Sequence, residues 1–585
     1  MQARREMFLT VWIASFVAAT AEFNLTILHT NDVHARIEEA DIYGGPCTAE
    51  LSVSGDCYGG ASRVRTKVLE KRKQYPNSTL VLDAGDQFQG TVWYYVYGGN
   101  VTSEFMNLIG YDAMAIGNHE FDGGVKGLAP FAHSIKFPML ATNVDLSNTP
   151  ELADVVKNST VINVNGHEIG IVGYITTATA YISSPETVII ADELVPVQAE
   201  IDKLVKEGVK IIVALGHSGY YRDLELAKRL KDVDIVVGGH TNTFLYTGDD
   251  PSSEKAEGKY PTVVDNMHEV GRKVLVVQDY AFGKYLGELH VTFDDQGEVT
   301  AWSGNPILLD KSVEKDKEIE VLVQKYKPGI ENMKMTVIGE AYVDLLSDRI
   351  RCRTTECNLG NLITDAVVHA NVRTSDPNSW SDVGIAIVNA GSFRSSIPKG
   401  NITIETVIFV QPFRNTIYVI EIRGQTLLDM LEFAASKWSE VPSSVFGGFL
   451  QVSGLQITYD TSRPAGQRVV EVLAVCTKCR VPALEPLQPE KTYKVLTSSY
   501  LIKGGEGYSM LPDAILSKEI TDTLDTDILL KYIKARTPIV TGLENRIRHL
   551  KDISPKLCGG ADQALLSSAT KFIVPLMYVW FKHIL

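Results

Sequence analysis

The sequence predicts an α/β protein with two α/β domains in series, and three observations predict it. From about residue 23 to residue 307, short runs of β-branched and aliphatic residues alternate with helical stretches, the pattern of buried strands in a layered structure. Residues 311–335 are dense in Lys and Glu, with apolar residues at Ile319, Val321, Leu322 and Tyr326 and a break at Pro328-Gly329, so they read as an exposed linker helix. A second α/β alternation then runs from about Thr336 to Leu550. At 585 residues the chain exceeds one ordinary domain.

In the first region, the strand-like runs at 25–28, 80–82, 113–116, 211–215 and 235–237 each end in polar residues: Asp32-Val33-His34, Asp86, Asn118-His119, His217 and His240. In an open α/β sheet, ligand chemistry collects outside the carboxyl ends of the strands. One sheet of this kind would deliver all seven polar side chains to one crevice. Singly, each is an ordinary loop-start residue, but five clusters in one stretch exceed what turns require. Gly precedes the polar residue in Gly85-Asp86, Gly117-Asn118-His119-Glu120-Phe121-Asp122, Gly216-His217 and Gly238-Gly239-His240. A missing Cβ lets the backbone turn sharply and the side chain approach a cation. Mixed His, Asp and Asn donors suit zinc and similar first-row cations better than magnesium alone. The set fits two divalent cations sharing a carboxylate, the arrangement of dinuclear phosphoester hydrolases.

Helical stretches are expected at Ala61–Gln74 and 195–207, an exposed insertion at 47–57 and a surface loop at 248–258. In the second region, strands are expected at 384–388 and 493–497 and a helix at 426–437. Asn389-Ala390-Gly391-Ser392-Phe393-Arg394 follows the first of these strands and offers an amide with a guanidinium, a phosphate-binding combination. Arg353, between two cysteines, is a second candidate. His29, His133, His167, His268, His290, His369, His549 and His583 fit no motif and read as structural or exposed.

A formal charge of -15 excludes a nucleic-acid-binding class, which carries a basic patch. Anionic substrates must be drawn locally, by cations and a few Arg. Arg4 and Arg5, an apolar stretch at 7–18 and Ala19-Thr20-Ala21 form a secretory signal over residues 1–21, with an uncleaved anchor as the alternative. Five Asn-x-Ser/Thr sequons, at Asn24, Asn77, Asn100, Asn158 and Asn401, accord with an extracellular chain. Of seven cysteines, six lie in close pairs (Cys47 and Cys57, Cys352 and Cys357, Cys476 and Cys479), which in a secreted chain point to disulfides. The Cys476–Cys479 spacing also admits a zinc half-site or a redox motif, and Cys558 is left over. Small residues Cys558-Gly559-Gly560-Ala561, a spacer at 562–571 and an apolar run at 572–581 make 559–585 a GPI-anchor signal, with a packed or amphipathic segment as the alternative.

These motifs resemble the calcineurin-like metallophosphoesterases and, within them, the secreted 5'-nucleotidase family. Two stretches resemble the animal ecto-enzymes: Gly238-Gly239-His240-Thr241-Asn242-Thr243-Phe244-Leu245-Tyr246-Thr247-Gly248 and Val276-Val277-Gln278-Asp279-Tyr280-Ala281-Phe282-Gly283-Lys284-Tyr285-Leu286-Gly287. The resemblance implies a four-layer αββα metal domain over 22–310, a linker helix over 311–335 and a nucleotide-binding domain over 336–550. It pairs the cysteines as above. It implies two divalent ions, zinc foremost, one held by Asp32, His34, Asp86 and Asn242 and the other by Asp86, Asn118, His217 and His240. Together they would acidify a bound water and clamp the phosphoryl oxygens. His119 is the expected catalytic histidine at the phosphate, with Asp122 accepting its other N–H; the alternative for Asp122 is a helix cap. Arg353, Asn389 and Arg394 would bind the nucleotide, Phe413 and Tyr500 would sandwich the base, and Glu506 would bond the ribose. A core role is the alternative for Phe413. Tyr500 and Glu506 replace the Phe and Asp usual in vertebrates.

The implied activity is extracellular hydrolysis of nucleoside 5'-monophosphates, AMP preferred, by a membrane-tethered enzyme for which the resemblance allows a homodimer. The rivals are an apyrase acting on ATP or ADP and a silent nucleotide-binding protein. The latter would lack a metal ligand or His119, and this chain keeps all of them.

Overall fold

The computed structural model of this chain describes residues 22–553 except Tyr43 and Thr374. The leader, the tail signal and Cys558 lie outside the described residues.

Two sheets stack in the first domain. In one, Phe23–Thr30 runs parallel to Thr79–Asp83 and antiparallel to Tyr285–Phe293, and Thr79–Asp83 continues in parallel to Ala113–Ala115 and Met139–Leu140. In the other, Ile211–His217 lies parallel between His167–Ile175 and Ile235–Val237. Side-chain alternation sets the layers. Leu25, Ile27, Leu80, Leu82, Ala113 and Ala115 meet Ile171, Val213 and Leu215 in a core shared by both sheets. Leu28, Val81, Met114 and Ile116 face the opposite way, into a core built with helices Ala61–Gln74, Gly99–Ile109 and Gly124–Ser134. Helices Leu194–Lys206 and Tyr220–Arg229 close the outer face of the second sheet through Val197, Ile201, Leu204 and Leu226. A one-residue slip would exchange the two faces and send side chains sized for one core into the other, where a changed volume costs packing energy.

The layering is helix, sheet, sheet, helix, and the five cluster-bearing strands divide three to two between the sheets rather than sharing one. This is the four-layer arrangement that the resemblance implies. An apolar run buried on both faces reads the same whichever neighbour it pairs with, so strand patterning alone does not tell one sheet from two.

Between the domains, Asp316 Oδ1 accepts from Glu318 and Ile319 N–H at 3.0 Å each and starts helix Lys317–Tyr326. The helix gives way to a 3₁₀ turn at Lys327–Gly329, then to Glu331–Met335. Ile319 and Val323 are buried against the first domain, whereas Val321 faces solvent. Lys334 pairs with Glu38 of the first domain and lies 3.9 Å from Glu405 of the second.

The second domain centres on a five-stranded sheet in the order Leu450–Ser453, Ile385–Asn389, Thr492–Ser498, Thr416–Arg423, Ser517–Leu524. Helix Asn358–Asn371 packs on one face and Gly424–Ser436 on the other. Cys47–Cys57, Cys352–Cys357 and Cys476–Cys479 are disulfides. The loop at 248–258 is not merely a surface excursion. Its Glu254 reaches inward to Lys284 Nζ at 2.6 Å and Tyr285 Oη at 2.7 Å, pairing an ammonium that is otherwise buried.

Candidate active site

The parallel strands bring five carboxyl ends to one edge of the sandwich, and their loops converge. Asp32, His34, Asp86, Asn118, His119 and His217 are all buried there. His217 Nε2 lies 3.0 Å from Asp86 Oδ2 and 4.0 Å from Asp32 Oδ1. His34 Nε2 lies 3.8 Å from Asp32 Oδ1 and 4.0 Å from Asp86 Oδ2, and His119 Nε2 lies 3.9 Å from Asp86 Oδ2. Donor atoms of His34, Asp86 and His119, and those of Asp86, His217 and His240, form two groups within 4.8 Å. Asp86 is common to both. His240 Nδ1 meets Asn118 Oδ1 at 2.8 Å, and Asn242 lines the same cleft.

The donors fit divalent cations. His34 Nδ1 donates to Phe88 O at 3.1 Å and His217 Nδ1 to Ala84 O at 2.7 Å. Each bond leaves Nε2 as the ring's position for a ligand. His217 Nε2 points to Asp86 Oδ2, and His34 Nε2 opens to the cleft, where Arg394 Nη2 lies 3.0 Å away. His217 Nε2 is buried 3.0 Å from Asp86 Oδ2. Burial works against a charged ring, but Asp86 and Asp32 outweigh it and push His217 up to about 10, as expected of carboxylates crowded where a cation would relieve them. Burial, aided by Arg394, holds His34 well below the ordinary imidazole range, and burial with His217 pushes His240 down to about 3, so both rings are neutral donors. Burial alone would raise Asp86, but the His217 and His119 rings beside it hold its carboxyl well below the usual range.

Backbone geometry is unusual at these positions. Asp32, His34, Asp86, His240 and Asn242 have φ of 51°, 52°, 60°, 78° and 53°, in the left-handed region that most side chains avoid. The neighbouring glycines act mainly through close approach: a Cβ on Gly85 would lie 2.5 Å from Gly117 N, so the Asp86 and Asn118 loops pack backbone on backbone. Glu120 ties those loops together. Its Oε2 accepts from Asp86 and Gly117 N–H at 2.9 and 2.6 Å, and its Oε1 from Gln87 and Phe88 N–H at 2.8 and 3.1 Å.

His119 Nδ1 donates to Asp122 Oδ2 at 2.6 Å, and Ser183 Oγ donates to Asp122 Oδ1 at 2.7 Å. Both oxygens are therefore occupied, and helix Gly124–Ser134 has no side-chain cap. Burial works against a charged ring, but Asp122 and Asp86 outweigh it and raise His119 above the ordinary imidazole range.

The cleft, of about 720 Å³, continues into the second domain, where Arg353, Asn389, Arg394, Phe413, Tyr500 and Glu506 line it with His119 and Asp122. Phe413 is only partly buried, and its ring lies 5.6 Å from that of His119. Glu506 sits at φ 56° in the Gly505–Gly507 turn. Its Oε1 accepts from Asn389 Nδ2 at 3.3 Å and its N–H donates to Tyr500 Oη at 3.1 Å. Gly391 and Gly447 leave room for the longer carboxylate, since a Cβ on either would come within 2.8 Å of Oε1. Burial, then Arg349 and Arg394, pushes Arg353 down to about 9, the mark of guanidiniums crowded where an anion would relieve them.

Sequence reasoning missed Arg349, Ser183, Glu120 and the cleft-lining Phe433 and Phe446. Arg349 Nη1 donates to Thr241 O, between His240 and Asn242, across the domain gap. Its only sequence signal is its place in the cation-rich Arg349-Ile350-Arg351-Cys352-Arg353.

The fold and the site define a metallophosphoesterase. Residues 25–244 match the calcineurin-like phosphoesterase family and residues 337–513 the 5'-nucleotidase C-terminal domain. The chain is 45% identical to the snake venom 5'-nucleotidase of Naja atra over 533 residues, 90% of this chain and 98% of that one. It is 43% identical to the 5'-nucleotidase of Rattus norvegicus over 534 residues, 90% of each chain. The crystal structure of a 5'-nucleotidase precursor from Thermus thermophilus superposes with a TM-score of 0.81 at 37% identity, covering 90% of this chain and 99% of that one. The chain belongs to the 5'-nucleotidase family.

Proposed function

We propose that this protein hydrolyses nucleoside 5'-monophosphates, AMP foremost, to nucleoside and phosphate outside the cell. One observation carries the reading: a single cleft is lined on one side by the His/Asp/Asn donors and on the other by guanidiniums, aromatic rings and a carboxylate suited to a nucleotide. Asp32, His34, Asp86 and Asn242 would hold one divalent cation and Asp86, Asn118, His217 and His240 the second, with zinc favoured by the mixed imidazole, carboxylate and amide donors. Those ions would supply Lewis acidity at the phosphoryl oxygens and acidify the attacking water. His119, kept cationic by Asp122, stabilises charge on the phosphoryl group or donates to the leaving oxygen. Arg353, Asn389 and Arg394 hold the nucleotide's polar groups, Phe413 and Tyr500 stack on the base, and Glu506 accepts from the ribose hydroxyls.

The domains are read as a metal domain at 22–310, a linker at 311–335 and a nucleotide-binding domain at 336–550. Residues 1–21 are read as a secretory signal and 559–585 as a GPI-anchor signal, giving an enzyme tethered to the outer membrane face, with a homodimer as the assembly that the resemblance allows. All five sequon asparagines are exposed, which supports glycosylation. Among the described residues no helix is long and apolar enough to cross a membrane. Phosphatidylinositol-specific phospholipase C should release the activity from cells; activity that stays bound would contradict the anchor.

The decisive measurement is phosphate release from AMP, ADP, ATP and a UDP-sugar by purified protein loaded with defined metals. AMP should be turned over best. Preference for ADP or ATP would replace this reading with an apyrase.

A further inference from the structure

The segment after strand His167–Ile175 is fastened to the His119 loop at two points. Ser183 Oγ donates to Asp122 Oδ1 at 2.7 Å, while Asp122 Oδ2 receives His119 Nδ1 at 2.6 Å. Three residues on, Glu186 Oε2 accepts from Val125 N–H at 3.2 Å, at the start of helix Gly124–Ser134. Ala178, Ile182 and Ser183 line the cleft, and the helical turn Thr179–Ile182 packs against the Gly505–Gly507 turn that carries Glu506. One short segment of the first domain thus touches both the carboxylate behind His119 and the second-domain turn facing the nucleotide.

A carboxylate held through one oxygen still rotates about its terminal torsion, which is broad and roughly two-fold. Held through both, its plane is set. We propose that Ser183 is a positioning residue: its hydroxyl locks Asp122, and the locked carboxylate aims His119 at the phosphoryl group. No group on the Ser183 side of Asp122 changes charge for this to work, and Ser183 itself need not touch substrate. The inference rests on the functional reading above, in which His119 acts at the phosphate.

Misplacing a reacting group by about 1 Å costs on the order of 100-fold in rate. Ser183→Ala should therefore lower kcat about 10- to 100-fold on AMP and on p-nitrophenyl phosphate alike, with KM for each within about twofold, because the lost aim affects the reacting group rather than nucleotide binding. Ser183→Thr, which keeps the hydroxyl, should restore most of the rate. In an Asp122→Ala background, adding Ser183→Ala should change kcat less than about twofold, since the intermediary is gone. Thermal midpoint and bound metal of the single variant should match wild type. An active wild type with an unchanged kcat in Ser183→Ala, or full additivity with Asp122→Ala, overturns the proposal while leaving the functional reading intact. A metal-loaded wild type that releases no phosphate from either ester overturns the functional reading first.

Discussion

Arg394 Nη2 of the second domain lies 3.0 Å from His34 Nε2 of the first, so a guanidinium meets an imidazole of the metal-donor set directly across the cleft. The same guanidinium carbon stands 5.9 Å from the Phe413 ring centre. A phosphate seated between the donors and Phe413 would take a charge-assisted pair of bonds from Arg394. Arg394→Ala should cost about 1.5–3 kcal/mol in kcat/KM for AMP, the scale of hydrogen bonds to charged groups. Arg394→Lys should recover only part of it, because an ammonium lacks the planar fork. Steady-state kinetics of both variants check this.

Glu120 should matter for stability as much as for turnover. Its two oxygens accept four backbone N–H groups from the loops bearing Asp86 and Asn118. Glu120→Gln replaces one acceptor with an NH₂ that faces donors. Each buried N–H left unpaired costs about 1–3 kcal/mol, so the variant should lose about 2–5 kcal/mol in denaturant unfolding. Metal content, measured by mass spectrometry, should fall with it. Glu120→Asp, too short to span both loops, should fare no better than Gln.

Tyr500 performs two separable tasks. Its ring lines the cleft and its hydroxyl accepts from Glu506 N–H in a left-handed turn. Tyr500→Phe should raise KM for AMP severalfold, corresponding to a hydrogen bond of about 0.5–1.5 kcal/mol. Tyr500→Ala should cost about 1–3 kcal/mol through lost stacking. Neither should change KM for p-nitrophenyl phosphate, which has no base or ribose to read. A matching loss on that ester would mean the second domain is not reading the base.

The contact around Lys334 should make stability depend on pH. Burial pushes the Glu405 carboxyl up to about 7, with Lys334 opposing and Glu38 adding to the push. Between about pH 4.5 and pH 7 the folded protein keeps a proton that the unfolded chain has released, so this group's contribution falls as pH rises through that window and is level above it. Glu405→Gln should remove the dependence. Comparing unfolding free energies at about pH 5 and pH 8, the variant should lose less than wild type, by roughly 1–3 kcal/mol at about 1.4 kcal/mol per pH unit.

Much of the site was legible because its chemistry is spelled locally. Asp86, Asn118, His119, His217 and His240 each follow an apolar run and a glycine, so strand, turn and donor lie within a few residues of one another. The division into two sheets was reached through family resemblance alone, because Leu25 and Val213 share a core that neither neighbourhood announces. Phe413, Tyr500 and Glu506 were reached through family resemblance; an aromatic residue beside a loop is otherwise an ordinary core residue. Ser183 and Arg349 left no usable trace. Their partners, Asp122 and Thr241, lie 61 and 108 residues away in the chain, and a serine after a short helical turn has no periodicity to mark it.

The left-handed backbone at Asp32, His34, Asp86, His240 and Asn242 sets selection for durability against selection for catalysis. Glycine adopts that conformation without steric penalty, so replacing any of these five side chains relaxes the chain at the point where chemistry needs it most. A library screened only for heat resistance should therefore accumulate inactive members at these positions, and restoring activity should lower their melting temperatures. Durable versions of this enzyme are better sought away from the strand ends, in the helical layers, where sequence can change without unmaking the cation sites.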